Sequence, residues 1–270
     1  MAEVSNISYR YKYLPFNDGS LEIIKSGTIK FTSPLEFNDP FDSRPYITPE
    51  SIESIFTSRP DLFKRTGEEL GLSPAKRLQS KEKLIRKLRE NVLSGNYQHN
   101  LLKDTGIVCL SRTALNILMW SHYADSHRGF VVEFAIPKMG TRQDAKQAVD
   151  LLVSFPVVYR TKRPHVSLGS NGDFRHVEES ILTKSVDWEY EDEERVIGYE
   201  RKPGIYKYES DRVLSSIVAG TLMHDDNYNR LNEILIERNK QYGTSVQLYR
   251  AILNSDSYGL TVPNHPRLGE

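Results

Sequence analysis

Short apolar runs with strand character, set apart by long segments with helical patterning, constrain this fold more than any other feature. The clearest runs are Gly106–Ser111, Phe130–Ile136 and Val213–Ala219. Helical patterns at about residues 113–126, ended by Gly129, and at residues 225–242 stand near these runs. Because few clean βαβ units result, we predict an α+β fold with mixed or antiparallel central sheets, flanking helices and a helical insertion.

Composition fits one large domain or two small ones, and we predict a single domain over residues 1–270. The chain has 270 residues, of which 38% are hydrophobic, so it can bury a sizeable core. Lys and Arg equal Asp and Glu at 36 each, so an electrostatic partner has to be recognised by a local patch. The single cysteine, Cys109, excludes disulfide scaffolds and cysteine-based zinc sites.

The start of the sequence and its apolar stretches predict no contact with a membrane. Residues Met1–Asn6 lack the basic and apolar regions of a signal peptide. No apolar stretch approaches the roughly 20 residues that a membrane helix needs. We therefore predict a cytoplasmic protein with no membrane partner.

Residues 50–104 are charged and helical, which predicts a helical insertion or lid. Within them, residues 76–90 carry seven basic and two acidic side chains. An apolar stripe along this basic helix consists of Leu78, Ile85, Leu88 and Val92. The stripe favours a helix with one solvated face, and a nucleic acid or protein target bound through the basic face is the alternative.

Trp188–Arg195 combines aromatic rings with a dense run of charge. In a strand, Glu191, Glu193 and Arg195 would share one face. Paired carboxylates of this kind suit the orientation of a sugar hydroxyl or the stabilisation of a developing oxocarbenium ion. The alternative is a solvated edge strand held by salt bridges. The rings of Trp188 and Tyr190 favour a functional site, because an acidic surface does not need them.

Met119–Asp125 is a second polar and aromatic string. His122 could donate a proton, contact a ribose or anchor the helix in the core. His122 and His127 are five residues apart, which does not match the spacing of helical zinc-binding histidines, so no metal site is predicted. On the strand Tyr9–Tyr13, tyrosines alternate with Arg10 and Lys12. This pattern could stack a nicotinamide, an adenine or a nucleic-acid base, and the alternative, which is favoured for any one residue, is core tyrosines with solvated cations.

Several well-known nucleotide and esterase motifs do not occur in the sequence. It contains no Walker A motif, no Gly-x-Gly-x-x-Gly and no Gly-x-Ser-x-Gly. P-loop nucleotidases, Rossmann dehydrogenases and esterases with a nucleophile elbow therefore lose most of their support.

Four motifs in a fixed order resemble a large bacterial family that is catalogued only as a domain of unknown function. The motifs are Phe31–Asp42, Cys109–Arg112, Met119–Asp125 with His127–Gly129, and Trp188–Arg195. The resemblance covers about residues 9–220 and implies a role in phage defence or as a toxin.

The layout is also similar to the ADP-ribosyltransferase superfamily, whose late strand often carries a Glu-x-Glu motif. This resemblance implies an enzyme that cleaves NAD and modifies a macromolecular target. It implies that Glu193 is the electrostatic catalyst and that Glu191 positions the nucleophile. The other implied residues are Tyr11 or Arg10 on the first strand, Tyr123 for nicotinamide stacking, Trp120 and Arg195 beside the cofactor, and Ser111 and His122 as scaffold.

Two other classes of function remain open at this point. A metal-dependent nuclease would use Glu191 and Glu193, with Asp39 or Asp42, as oxygen ligands. A sensor or interaction module would keep the same cluster for structure alone.

Overall fold

The computed structural model describes residues 6–139, 142–168 and 175–269, and only the backbone of residues 142, 145, 147, 175 and 176. The strands of these residues are β1 Ile7–Leu14, β2 Thr28–Phe31, β3 Tyr46–Ile47, β4 Gly106–Ser111, β5 Phe130–Pro137, β6 Phe155–Pro156, β7 Val158–Arg160, β8 His165–Val166, β9 Thr183–Ser185, β10 Glu193–Gly198, β11 Gly204–Lys207, β12 Leu214–Ala219, β13 Gln247–Arg250, β14 Ile252–Leu253 and β15 Leu260–Thr261.

The α-helices of the described residues are α1 Asp18–Lys25, α2 Pro49–Ser58, α3 Pro60–Glu69, α4 Pro74–Gln79, α5 Lys81–Leu93, α6 Asn96–Leu102, α7 Ile117–Tyr123, α8 Arg142–Gln147, α9 Arg175–Ile181, α10 Ser210–Val213 and α11 Asp225–Tyr242. Short 3-10 helices lie at Pro34–Glu36, Val149–Leu151 and Val186–Glu191. No described helix is both long and apolar enough to cross a lipid bilayer.

The chain divides into two compact units, each built from separated segments. Unit 1 comprises Met1–Thr32, Thr105–Val157 and Asp187–Glu270, and unit 2 comprises Ser33–Asp104 and Val158–Val186. The prediction of one domain over residues 1–270 and the lid role for residues 50–104 stay predictions.

A seven-stranded sheet organises unit 1, in the order β13-β12-β5-β1-β4-β10-β6. β12 and β13 are parallel, and the other neighbours in the sheet are antiparallel. This mixed sheet with flanking helices confirms the predicted α+β class. Sequential strands are rarely neighbours in this order, so the fold depends on contacts between distant parts of the chain.

Each face of the sheet has its own core. Even-numbered residues of β5, such as Val132 and Phe134, pack with Leu21 of α1 and Leu231 of α11. On the opposite face, a second cluster joins Tyr11 and Tyr13 of β1 to Trp120 of α7 and to Ala251, Leu260 and Val262 near the C-terminus. Alternation along the strands places consecutive side chains on these two faces, as the sequence pattern indicated.

Unit 2 has a separate core around helix α2. Ile52, Ile55 and Phe56 of α2 pack with Ile47 of β3 and Leu168. Ile85, Leu88 and Val92 of α5 pack against this cluster, which confirms most of the predicted stripe. Leu78 is 68% exposed and belongs to α4, because the predicted basic helix breaks at Ser80. The parallel pair of β3 with β8 joins the two chain segments of unit 2, and the parallel pair of β7 with β9 lies within the later segment.

Two predictions of local structure are wrong. Helix α7 covers Ile117–Tyr123 and not residues 113–126, because Asn116 caps its start and Asp125, Ser126 and His127 all have positive φ. Gly129 follows this turn and does not end the helix. A Cβ at Gly129 would lie 2.1 Å from the carbonyl oxygen of Leu14, so this glycine allows a close approach of two backbones.

The predicted strand over the acidic string is also wrong in its first half. Residues Val186–Glu191 form a 3-10 helix, Asp192 has a φ of 44°, and strand β10 begins at Glu193. Glu191 and Glu193 therefore do not share the face of one strand. Glu191, Glu193 and Glu194 are buried, which excludes the alternative of a solvated edge strand.

Candidate functional site

One row of polar side chains crosses the centre of the unit 1 sheet. Tyr11 lies directly opposite Glu133 on one side and Ser111 on the other. Ser216 lies opposite Glu133, and Glu193 lies opposite Ser111. Directly opposite residues of antiparallel strands project to the same face. We call these five side chains, all with little or no exposure, the polar row.

At one end of the polar row, Glu193 forms a buried ion pair. Nε and Nη2 of Arg195 donate to its two carboxylate oxygens at 2.7 and 3.0 Å. Glu193 is 3% exposed and Arg195 is fully buried. A bidentate pair of this kind fixes both side chains. The predicted catalytic role of Glu193 stays a prediction, and its geometry supports a positioning role.

Glu194 points to a different set of partners. Arg10 approaches its carboxylate to 2.6 Å, and Ser154 donates to it at 2.6 Å. Arg112, which is 41% exposed, lies 2.9 Å from a carboxylate oxygen of Asp192 and 3.7 Å from one of Glu194. Arg10 was predicted beside the cofactor, and its contact with Glu194 makes it part of this ion-pair network.

Glu191 lies where the two predicted strings meet. The hydroxyl of Tyr123 donates to its carboxylate at 2.6 Å, and Ser111 Oγ donates to its backbone carbonyl at 2.7 Å. Glu191 is 3% exposed, and Tyr123 is half-buried. The two strings therefore meet through Tyr123 and Glu191.

Partly exposed aromatic rings adjoin Glu191. Ring centroids lie 6.3 Å apart for Tyr123 and His122, 6.2 Å for His122 and Tyr190, and 6.0 Å for Tyr190 and Trp188. His122 is exposed and the other three rings are half-buried. We call these four rings the ring platform. Planar ligands can stack on such a surface, and Glu191 lies at its edge.

Asn116 joins α7 to the acidic string. Its side-chain oxygen accepts from the backbone N–H groups of Leu118 and Met119, and its side-chain nitrogen donates to the carbonyl of Tyr190 at 2.8 Å. Asparagine is a preferred N-cap, so its place before an apolar helical run signals this role. Its contact with Tyr190 has no signal in the sequence.

Two residues predicted at the ligand surface belong to the core. Trp120 is fully buried, and its indole N–H donates to the carbonyl of Ala114 at 2.8 Å. Tyr11 is 5% exposed and its hydroxyl donates to Glu133 at 3.2 Å. Burial raises the pKa of Tyr11, so its hydroxyl keeps its proton. A stacked ligand needs the open face of a ring, and both rings are packed within the core cluster on this side of the sheet, which corrects their predicted contact with NAD.

The environment of the lone cysteine, Cys109, disfavours its thiolate form. Burial raises the pKa of the Cys109 thiol well above its usual range. Burial also lowers the pKa of Lys12, whose ammonium donates to the Cys109 carbonyl at 3.3 Å. The reactive form of cysteine is the thiolate, which this pKa disfavours.

At the other end of the polar row, Glu133 holds the C-terminal segment. Arg267 donates to both carboxylate oxygens of Glu133, and Ser216 donates to one of them at 2.9 Å. His265 Nε2 lies 3.0 Å from Ser216 Oγ, and its Nδ1 accepts from the backbone N–H of Arg267. His265 is therefore neutral and carries its proton on Nε2. Sequence reasoning missed this cluster, although a glutamate within the apolar run Phe130–Ile136 was a usable signal.

Acidification is expected to destabilise unit 1 through this cluster. Burial lowers the pKa of His265 below its ordinary 6.5. Burial would raise the pKa of Glu133, but hydrogen bonds from Arg267, Ser215 and Ser216 bring it below its ordinary 4.5. Groups with depressed pKa values contribute stability that is lost as pH falls. Melting temperature should therefore fall from about pH 6.5 downward, and again below about pH 4.5.

His265→Asn provides the control for this pH dependence. Burial lowers the pKa of His127 as well, so the variant should lose part of the slope between about pH 7 and pH 5 and keep the rest. An unchanged slope in His265→Asn would contradict the assignment of a neutral, buried imidazole.

The fold and the site together define an α+β protein whose central sheet carries the buried polar row beside the partly exposed ring platform. A family model described as a protein of unknown function (DUF2971) matches residues 119–196. The matched range is less than a third of the chain and includes both predicted strings, from α7 to β10. It supports the resemblance to a family of unknown function. No curated protein and no solved structure matched the chain significantly.

Among the described residues, no group of three or more His, Cys, Asp or Glu side chains has a metal-binding arrangement. Asp39 and Asp42 of the nuclease alternative are buried in unit 2, where Asp39 accepts from the backbone N–H of Phe41 and Asp42 lies 3.8 Å from Lys184. Glu191 and Glu193 belong to unit 1.

Proposed function

We propose that unit 1 binds NAD at the ring platform and transfers ADP-ribose from it to a macromolecular target, as an effector of phage defence or a toxin. One observation carries the proposal: the buried carboxylate of Glu191 accepts a 2.6 Å hydrogen bond from Tyr123, a member of the ring platform. This arrangement combines a stacking surface for nicotinamide with a carboxylate for the adjoining ribose.

The residues present fit the nicotinamide riboside half of NAD. The ring platform can accept a planar ring, and the Glu191 carboxylate can accept a hydrogen bond from a ribose hydroxyl. Arg112 is the nearby cation with substantial exposure, and it is 2.9 Å from Asp192. To contact a pyrophosphate, Arg112 would have to exchange this surface ion pair, which costs little because such pairs are weak.

In the proposed reaction, the bond between ribose C1′ and the nicotinamide nitrogen breaks. Nicotinamide leaves with the bonding electron pair, and a nucleophile of the target forms the new bond to C1′ and loses its proton. Positive charge develops on the ribose as the bond breaks, so a carboxylate held close to it stabilises the transition state. Tyr123 orients Glu191, and the pair of Arg195 with Glu193 holds the start of β10 in place.

Glu191→Gln tests the proposal. Loss of one preorganised electrostatic contact typically costs about 100-fold to 1000-fold in rate, so we expect nicotinamide release from NAD to fall by about 100-fold or more. Release is measured by chromatography with the purified full chain. Glu189→Gln is the matched control, because Glu189 is exposed on the same 3-10 helix and undergoes the same chemical change.

Three outcomes would overturn the proposal. The first is no nicotinamide release by the unmodified chain, with or without cell extract as a source of target. The second is an equal loss of activity in both variants. The third is a Glu191→Gln variant that loses its melting transition and its activity together, which would make Glu191 a structural group.

A second candidate is a sensor or interaction module without catalysis. It is favoured by a specific observation: three buried carboxylates of unit 1 are engaged by arginines, Glu133 by Arg267, Glu193 by Arg195 and Glu194 by Arg10. Buried carboxylates that are paired with arginines in this way hold the fold together. NAD binding to the ring platform without turnover would support this candidate.

A further inference from the structure

Unit 2 carries a cationic depression that the proposed NAD site does not use. A cavity of about 630 Å³ is lined by residues 159–165, which run from the end of β7 to the start of β8 and include Arg160, Lys162, Arg163 and His165, together with Glu179 of α9 and Val186. Arg160, Lys162, Arg163 and His165 are all exposed. The depression therefore presents three permanent positive charges against one carboxylate.

The three cations of this depression are available to a ligand. Within the described part of the chain, none of Arg160, Lys162 and Arg163 forms an ion pair with an acidic residue. Unit 2 as a whole has 17 Lys and Arg against 14 Asp and Glu, although the complete chain is neutral. Unit 2 therefore has an excess of positive charge although the net charge of the chain is zero, and a positive patch attracts anions.

Exposed aromatic rings lie beside the cations. Phe41 is 64% exposed, and its ring centroid is 5.9 Å from the guanidinium carbon of Arg163. Tyr46 is 39% exposed, and its ring centroid is 5.1 Å from that of His165. Cations that contact phosphates beside rings that stack bases are the usual means of binding single-stranded nucleic acid.

The backbone holds this loop at both ends. Before it, β7 pairs with β9, with Arg160 opposite Ser185. After it, β8 pairs with β3, with His165 opposite Tyr46, and the backbone N–H of Tyr46 donates to the carbonyl of Pro164 at 2.9 Å. The loop and the rings of Tyr46 and Phe41 are thus held on neighbouring parts of unit 2. A preformed site of this kind costs less conformational entropy on binding.

We propose that this surface of unit 2, defined by Arg160, Lys162, Arg163, Phe41, Tyr46 and His165, binds single-stranded nucleic acid. The cations contact successive phosphates and the exposed rings stack bases. A duplex keeps its bases stacked on each other, so it could use the cations and not the rings. The basic face of α5, the surface predicted from the sequence, is the alternative that the control variant tests.

Fluorescence anisotropy with a labelled single-stranded oligonucleotide tests this proposal. The triple variant Arg160→Gln, Lys162→Gln, Arg163→Gln should weaken binding by about tenfold or more at low salt and reduce the slope of log affinity against log salt by about 2. The matched control is Lys83→Gln, Arg86→Gln, Lys87→Gln on α5, which removes the same charge from exposed positions. This control should bind almost as tightly as the unmodified chain.

Phe41→Ala separates stacking from charge. The substitution should weaken single-strand binding by about tenfold with an unchanged salt slope, and Phe41→Trp should restore it. Tyr258→Ala, at a fully exposed ring of unit 1, is the control that should leave binding unchanged.

Three results would overturn the proposal. The first is an equal loss of binding in the two triple variants. The second is duplex binding that is as tight as single-strand binding and does not change in Phe41→Ala. The third is full competition by poly-glutamate at equal charge concentration. The last would indicate an acidic protein partner. Because the assay measures no NAD cleavage, failure of the proposed function leaves this test intact.

Discussion

Arg267→Ala is expected to lower the free energy of unfolding by about 3 kcal/mol, because it leaves the fully buried carboxylate of Glu133 without its strongest partner. Removing one member of a buried ion pair typically costs about 3–5 kcal/mol. We expect the lower end of this range because the Arg267 side chain is 30% exposed, so water can reach part of the vacated space. The variant also loses the contact of the guanidinium with the ring of Tyr9, at 3.7 Å.

Urea denaturation measures this effect, and Arg230→Ala is the matched control. Arg230 pairs with Asp18 at 2.7 Å, but the two side chains are 51% and 81% exposed, so the control should cost less than about 1 kcal/mol. Adding Glu133→Gln to Arg267→Ala should recover part of the loss, because the buried charge is then removed as well. Equal costs for Arg267→Ala and Arg230→Ala would show that Glu133 does not depend on Arg267.

Trp120→Ala should be the most destabilising change in either aromatic string, at about 3–5 kcal/mol. The substitution leaves a cavity beside Tyr13, whose ring meets that of Trp120 edge-on at 5.5 Å, and it leaves the Ala114 carbonyl without the indole donor. Thermal and urea unfolding measure the loss.

The other tryptophan of the chain is the matched control. Trp188 is half-buried on the ring platform, so Trp188→Ala should cost about 1 kcal/mol and instead weaken binding of a stacked ligand. A smaller loss of stability for Trp120→Ala than for Trp188→Ala would contradict the assignment of Trp120 to the core and Trp188 to the platform.

Much of the fold could be predicted where the pattern of the sequence is local. The apolar runs of β4 and β5 and the long helix α11 follow directly from periodicity and from their end signals. The acidic string could not be predicted in this way. Its 3-10 helix is held by Asn116 and Ser111, whose side chains donate to the carbonyls of Tyr190 and Glu191 from more than 70 residues away.

In the candidate site, too, features with a local sequence pattern could be predicted and features that depend on distant contacts could not. Sequence composition identified both strings. It did not distinguish Trp120 from Trp188, since both stand in similar polar and aromatic surroundings and burial depends on tertiary contacts. It also gave no sign of Arg267 and His265, because their partner Glu133 is more than 130 residues away in sequence.

The division of unit 2 into Ser33–Asp104 and Val158–Val186 affects its folding during synthesis on the ribosome. Strand β3 is made early, but its partner β8 and the pair β7 and β9 come from the later segment. At about 5–20 residues per second, the earlier segment waits about 4–16 seconds for the later one. During that interval β3 lacks its partner β8 and the core around α2 lacks Leu168, so unit 2 is completed only after the later segment has been made.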